Sequence, residues 1–329
     1  MRILYAIQGT GNGHLSRSMD IVPILKQMAD VDVLVSGKQG DLKLPFEVKY
    51  QLHGMGFVFG KSGGVDLWKS FYKADTRKFI KEINQLPVQD YDQVISDFEP
   101  VSGWACHFKN KPCIGLSHQA AVLADEVPKP DTTDMLGKMI LKQYVPVSAQ
   151  YGFHFKAFGH NIFTPVIRQQ VRERNVTNKG HYTVYLPAYD DERIVKKLSK
   201  FKGIEWQVFS KHNKKAASYK NITVEPINNN KFIASMASSE GVLCGAGFET
   251  PAEALFMKKK LLVVPMKNQY EQQLNGAALK SMGVPVIKSL KSKHEDTIRH
   301  WLEQGKVVDV NYPDQTHTIL NLIVKDHAG

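Results

Sequence analysis

The sequence begins Met1-Arg2-Ile3-Leu4-Tyr5-Ala6-Ile7-Gln8-Gly9-Thr10-Gly11-Asn12-Gly13-His14. An apolar run of strand length enters a glycine-rich turn, and a helical pattern follows over 15–28. This reads as the opening unit of a wound α/β sheet. Glycines let the backbone turn tightly and a ligand come close, and the helix N-terminus beyond favours negative charge. The apolar run is too short for a signal peptide and has no small-residue cleavage site.

Working outward, the alternation continues. Strand-like runs fall at 2–7, 31–36, 93–96 and 112–116, with helical patterns over 15–28 and 67–86. A polar stretch containing Thr164-Pro165 interrupts it at 161–179. Strands are then expected at 182–186, 205–209, 222–225, 241–244, 261–265 and 284–287, and helices at 191–198, 251–257 and 270–282. Strands alternating with helices imply parallel sheets covered on both faces, here twice. The expectation is an α/β chain with a first domain over 1–160, a second over 161–312, and a helix in 313–329 crossing back to the first. The length of 329 residues suits two domains. A ligand would then lie in the cleft at the strand C-terminal ends.

A composition of 43% hydrophobic and 23% charged residues excludes a disordered tail or a fibre. No apolar run approaches the ~18 residues of a membrane-spanning helix. Cys106, Cys113 and Cys244 match neither a disulfide framework nor a zinc spacing, so a reducing cytoplasm is expected. Residues 1–160 hold 18 Lys and Arg against 16 Asp and Glu, whereas 161–329 hold 25 against 16. The basic second half suits an anionic partner such as a nucleotide, although a lysine-rich solvated face gives the same count.

Two phosphate motifs fail on inspection. G-x-G-x-x-G would need glycine at His14, and the second strand ends in Ser36-Gly37 without an acid for a ribose. Gly60-Lys61-Ser62 has Met55 where a phosphate loop needs glycine. His14 reads either as a loop cap or as a general base, since imidazoles titrate near neutrality. Asp97 closes the strand Val94-Ile95-Ser96-Asp97-Phe98-Glu99-Pro100 and would orient such a base, with Glu99 the next candidate. Thr250, Pro251 and Glu253 have the spacing of a capping box, and the turn Gly245-Ala246-Gly247 before them suits phosphate. The polar run Gln269-Tyr270-Glu271-Gln272-Gln273-Leu274-Asn275 suits a hydroxyl-rich ligand. Aromatic residues and cations recur at helical spacing over 67–83, as on a half-buried helix or one lying on an anionic bilayer.

Together these pieces resemble the two-Rossmann-domain (GT-B) glycosyltransferases. They are most similar to the peptidoglycan N-acetylglucosaminyltransferase (family 28) and related bacterial and archaeal glycosyltransferase-like proteins. Gly9-Thr10-Gly11-Asn12-Gly13-His14 is similar to that family's first glycine-rich loop, and Phe163-Thr164-Pro165-Val166-Ile167-Arg168 to its interdomain segment. Residues 245–253, 261–265 and 271–277 are similar to its donor-binding block.

The resemblance implies that Glu253 holds the donor ribose and that Gly245, Ala246, Gly247 and Thr250 hold the diphosphate. Gln272 and Gln273 would contact the sugar, with Asn275 in the same donor-binding block. His14 would act at the acceptor, with Gly11, Asn12, Gly13, Glu99 and His118 on the same side. Leu186-Pro187-Ala188-Tyr189-Asp190 departs from the family's Gly/Ser-rich turn. The retaining branch carries an acid eight residues before the ribose glutamate, where this chain has Gly245, so an inverting reaction is expected.

No Asp-x-Asp closes a strand, so neither metal nor cofactor is expected beyond a nucleoside-diphosphate sugar as co-substrate. The expected acceptor is a hydroxyl, a membrane lipid being one class, at the inner face of the membrane; specific nucleic-acid binding is not expected. A same-fold nucleotide-sugar epimerase would resemble a Gly-Thr-Arg-Pro-Glu start, which is absent. A non-catalytic binder of nucleotide sugar or nucleic acid would explain the charge but not His14.

Overall fold

A computed structural model describes residues 1–10, 12–37, 43–55, 75–131 and 134–327. Gly11, the Gly60-Lys61-Ser62 segment and the 67–74 part of the expected amphipathic helix lie outside them.

The first sheet contains β1 (Arg2–Gln8), β2 (Asp30–Ser36), β3 (Tyr50–Leu52), β4 (Gln93–Asp97), β5 (Ile114–Ser117), β6 (Ala149–Phe153) and β7 (Ile162–Phe163). Its order is β3-β2-β1-β4-β5-β6-β7, all parallel. Helices α1 (Asn12–Met28), α2 (Thr76–Gln85), α3 (Pro100–Phe108), α4 (His118–Val122) and α5 (Met135–Gln143) connect its strands. Ile3 through Ile7 are fully buried, as a strand covered on both faces requires. In register, Ile7 faces Val35 on one side and Asp97 on the other. The turn after β1 and the end of β4 therefore meet at one sheet edge.

After α6 (Gln169–Arg172), the second sheet contains β8 (Tyr182–Tyr185), β9 (Trp206–Ser210), β10 (Ala217–Tyr219), β11 (Ile222–Pro226), β12 (Gly241–Gly245) and β13 (Lys260–Val264). Its order is β10-β11-β9-β8-β12-β13, antiparallel only at β10. The helices are α7 (Asp191–Leu198), α8 (Asn229–Ser238), α9 (Glu249–Phe256), α10 (Tyr270–Ser281), α11 (Glu295–Gln304) and α12 (Thr316–Asp326). α12 packs on α1, and Gln93 Nε2 donates to the Val324 carbonyl at 2.8 Å. One apolar cluster runs from Ile7 and Leu15 through Phe153 and Val166 to Phe248 and Ala252, joining the two halves.

Several local expectations are corrected. α1 begins at Asn12, so Asn12 and Gly13 are helical rather than loop. α9 begins at Glu249 with Phe248 at the cap position and no side-chain cap. Thr250 is thus inside the helix, and the capping box does not form. Residues 284–287 make a single bridge, Val263 to Val286, beside Pro285, which has no N–H to extend the ladder. β7 carries the first sheet past the expected boundary at 161, and the short strands β3, β6, β7 and β10 were not expected.

His154, directly after β6, lies fully buried against His118, Phe155, Phe158 and Phe248. Its Nδ1 accepts the Phe155 N–H at 2.9 Å, and Nε2 has no partner among the described residues. Burial, then the nearby His118 and Lys129, pull its pKa down to about 2. A histidine depressed in the folded state contributes stability that is complete above its unfolded pKa of about 6.5. That contribution falls by about 1.4 kcal/mol per pH unit as pH drops toward the folded value. Urea unfolding between pH 7 and pH 5 should therefore show a shallower acid-side loss of stability in His154→Phe than in the native chain.

Candidate functional site

The first two turns of α1 carry His14 and, three residues on, Arg17 toward the C-terminal end of β4. His14 Nδ1 lies 2.8 Å from Asp97 Oδ1. Arg17 Nη2 donates to both oxygens of Asp97, at 2.7 and 2.9 Å, and Nη1 donates to Glu249 Oε1 at 2.5 Å. Asp97 has no exposed surface and Arg17 only 2%. Burial alone would raise the Asp97 carboxyl; the charges of Arg17 and His14 outweigh it and hold the carboxyl below its usual range. With Asp97 ionised, Nδ1 carries the proton it donates. Glu249 is pushed up to about 7, first by burial and then by Glu253 and Asp97, against the pull of Arg17.

Phe98, next after Asp97, has φ 56°, a left-handed conformation costly for an aromatic residue. This turn aims Asp97 inward and sets the Phe98 ring parallel to His14, at 6.4 Å between centroids. His14 and Phe98 line a pocket with Gln8 at the end of β1 and Thr10 in the turn after it, with Ile140 and Leu141 of α5, and with Gln269, Tyr270 and Glu271 at the start of α10. Both halves of the chain therefore bound it.

The other expected residues fall into different surroundings. Glu99 caps α3: its oxygens accept from the N–H groups of Val101 and Ser102 at 2.8 and 2.6 Å and from Ser36 at 2.5 Å. It is fully buried, and we correct its assignment to the acceptor side. His118, also fully enclosed, opens α4 with Nδ1 2.7 Å from the Phe153 carbonyl and Nε2 2.7 Å from Asn275 Oδ1, while its ring stacks on Phe248 at 3.9 Å. Asn275 Nδ2 donates to the Ala246 carbonyl at 3.1 Å, so this pair braces the turn between β12 and α9.

In that turn Gly245 ends β12, and a Cβ on Gly247 would meet nothing within 4 Å. Gln272 Oε1 accepts from the Met266 N–H at 2.9 Å beside Gly245. Gln273 and Thr250 are half-buried. Glu253 is 2% exposed and lies against Arg168, with Nε to Oε1 at 2.5 Å and Nη2 to Oε2 at 2.8 Å.

Sequence reasoning missed Arg17 and Glu249. The spacing of His14 and Arg17 on one helix face was the available signal for the first; none marked Glu249. Among the described residues, no three His, Cys, Asp or Glu gather as a metal site. No described helix is long and apolar enough to cross a membrane.

A family model described as glycosyl transferase family 1 matches residues 1–304. No curated protein sequence matches the chain. Among solved structures, MnaA of S. aureus in a co-structure with UDP aligns over 99% of this chain and 97% of its own, at TM-score 0.65 and 10% identity. MurG of Acinetobacter baumannii aligns over 98% and 99%, at 0.58 and 15%. A Streptomyces glycosyltransferase complexed with thymidine diphosphate aligns over 99% and 99%, at 0.58 and 14%. The fold is GT-B.

The Arg168–Glu253 pair generates a stability prediction. Removing one partner of a buried ion pair strands the other and costs about 3–5 kcal/mol. Arg168→Met should lose that much in urea unfolding, whereas exposed pairs such as Lys231–Glu225 should cost less than about 1 kcal/mol when broken.

Proposed function

The chain belongs to glycosyl transferase family 1, and we propose that it moves a sugar from a nucleoside-diphosphate sugar to a hydroxyl acceptor by inverting, metal-independent displacement. The observation that carries this reading is the His14–Asp97 pair at 2.8 Å, with His14 in the wall of the pocket. Nδ1 gives its proton to the Asp97 hydrogen bond, which leaves the lone pair on Nε2. That nitrogen takes the acceptor hydroxyl's proton as the oxygen attacks the anomeric carbon. The bond from that carbon to the phosphate oxygen breaks, and its electron pair leaves with the nucleoside diphosphate. Asp97 stabilises the resulting imidazolium.

The leaving diphosphate is assigned to the turn Gly245-Ala246-Gly247 and Thr250, where the N–H groups and dipole at the start of α9 offer fixed positive charge without a metal. The resemblance assigns the ribose to Glu253. A carboxylate has about four lone-pair sites, so a ribose would share Glu253 with Arg168 rather than displace it. Gln272 and Gln273 are assigned to the sugar. Phe98, Ile140 and Leu141 give the acceptor side of the pocket an apolar wall, and Met135, Leu136 and Met139 are exposed on the same helix α5. These support a lipid-linked acceptor, met by the protein as a peripheral guest on the cytoplasmic face of a membrane.

Removing a general base costs about 10²–10⁴-fold in rate. His14→Ala should lose that much turnover with donor affinity nearly constant, and Asp97→Asn should lose less in the same direction; near-normal turnover in His14→Ala sinks the mechanism. Chelation with EDTA should leave the rate unchanged. In thermal-shift measurements, uridine or thymidine diphosphate should raise the melting temperature. Glu253→Gln should weaken that shift, and an undiminished shift would remove Glu253 from the donor site.

A further inference from the structure

We infer that Arg17 is a positioning residue for the transfer reaction: by gripping Asp97 and Glu249 together, it decides which nitrogen of His14 carries the proton. The inference rests on the reading of His14 as base. Asp97 is fully buried, and its side-chain hydrogen-bonding partners among the described residues are His14, Arg17 and the Tyr5 hydroxyl at 3.5 Å. With only an imidazole and a phenol beside it, a carboxyl so enclosed would favour its neutral form. A neutral carboxyl donates. It would donate a hydrogen bond to an unprotonated Nδ1, and the neutral imidazole would then carry its own proton on Nε2, the nitrogen that has to be free to accept one.

The guanidinium prevents this by geometry as well as by charge. Nη2 lies 3.3 Å from His14 Nδ1, so the two nitrogens stand side by side as donors to one carboxylate. Nη1 is held by Glu249 on the opposite half, and Phe153 lies under the guanidinium carbon at 5.6 Å from its ring centroid. Glu249 is itself the first residue of α9, and its side chain would lie 3.3 Å from a Cβ at Gly13. One planar fork thus joins the start of α1 and the end of β4 to the first residue of α9, just past the turn assigned to the diphosphate. Lysine, a point charge on a flexible stem, cannot satisfy both carboxylates with that planar geometry.

The test uses full-length protein labelled with ¹⁵N-histidine, with NMR reporting which nitrogen of His14 is protonated and His14→Gln identifying its signals. Kinetics follow release of uridine diphosphate from UDP-N-acetylglucosamine with water as acceptor. Arg17→Lys is the main variant; Glu249→Gln is the second, should the first fail to fold. The native signal is expected to show the proton on Nδ1. In Arg17→Lys, and to a smaller extent in Glu249→Gln, it should move toward Nε2. Misplacement of a reacting group costs about 10²-fold, so kcat in Arg17→Lys should fall by about that factor with donor KM unchanged. In an Asp97→Asn background the same substitution should add little.

A native-like His14 signal in both variants overturns the inference, and so does an Arg17→Lys loss that multiplies fully with that of Asp97→Asn. If His14→Ala retains normal turnover, the reading of His14 as base fails instead. The NMR comparison distinguishes that failure from this one, because it needs no substrate.

Discussion

Asp97 holds a negative charge at a point with no exposed surface, and much of the candidate site is arranged around that charge. Burying a carboxylate without partners costs several kcal/mol, so the charge persists only with a cation and hydrogen-bond donors around it. The first two turns of α1 supply His14 and Arg17 from one helix face. The left-handed turn at Phe98 keeps the carboxylate aimed at them. Parallel pairing of β1 with β4 brings Ile7 opposite Asp97, which places the loop and the carboxylate at the same sheet edge.

The same demand for compensation ties the two halves of the chain together. Arg17 reaches Glu249, His118 reaches Asn275, and Arg168, between the two sheets in sequence, reaches Glu253. Two of these contacts land on α9 and the third on the helix that braces the turn leading into it. Buried ion pairs add little net stability compared with apolar packing, but a mispaired one is costly, so they act as register pins. The continuous apolar cluster supplies the bulk attraction between the halves. The polar contacts decide where along that surface the two sit.

This arrangement gives a physical reading of the pocket. His14 is the member of the charged cluster that lines it, and the rest of the lining mixes apolar side chains from Phe98 and α5 with polar ones from the start of α10. A hydroxyl group presented on an apolar body suits such a lining. The charge of a diphosphate suits the N–H groups of the neighbouring turn, where Gly247 leaves space for close approach.

The α/β alternation, the glycine-rich turn after β1, and the candidacy of His14 and Asp97 were legible in the sequence. Each follows from residue types a few positions apart: apolar runs of strand length, glycines where the chain must turn, and chemically competent side chains at strand ends. The strands β3, β7 and β10 were not, because two or three residues hold too little periodicity to distinguish a strand from a loop, and β6, Ala149-Gln150-Tyr151-Gly152-Phe153, has glutamine and glycine where an apolar run would show. Glu99 looked as available as Asp97, two residues away. Only the packed chain shows that one caps α3 while the other faces His14. Thr250 and Glu253 had a capping spacing, yet α9 starts two residues earlier and Glu253 turns to an arginine 85 positions away. Arg17 meets Asp97 across 80 positions and Glu249 across 232. Local pattern determines which elements form, because backbone geometry is decided over a few residues. Which charge meets which is decided by how the elements pack, and for these pairs only the tertiary structure could say.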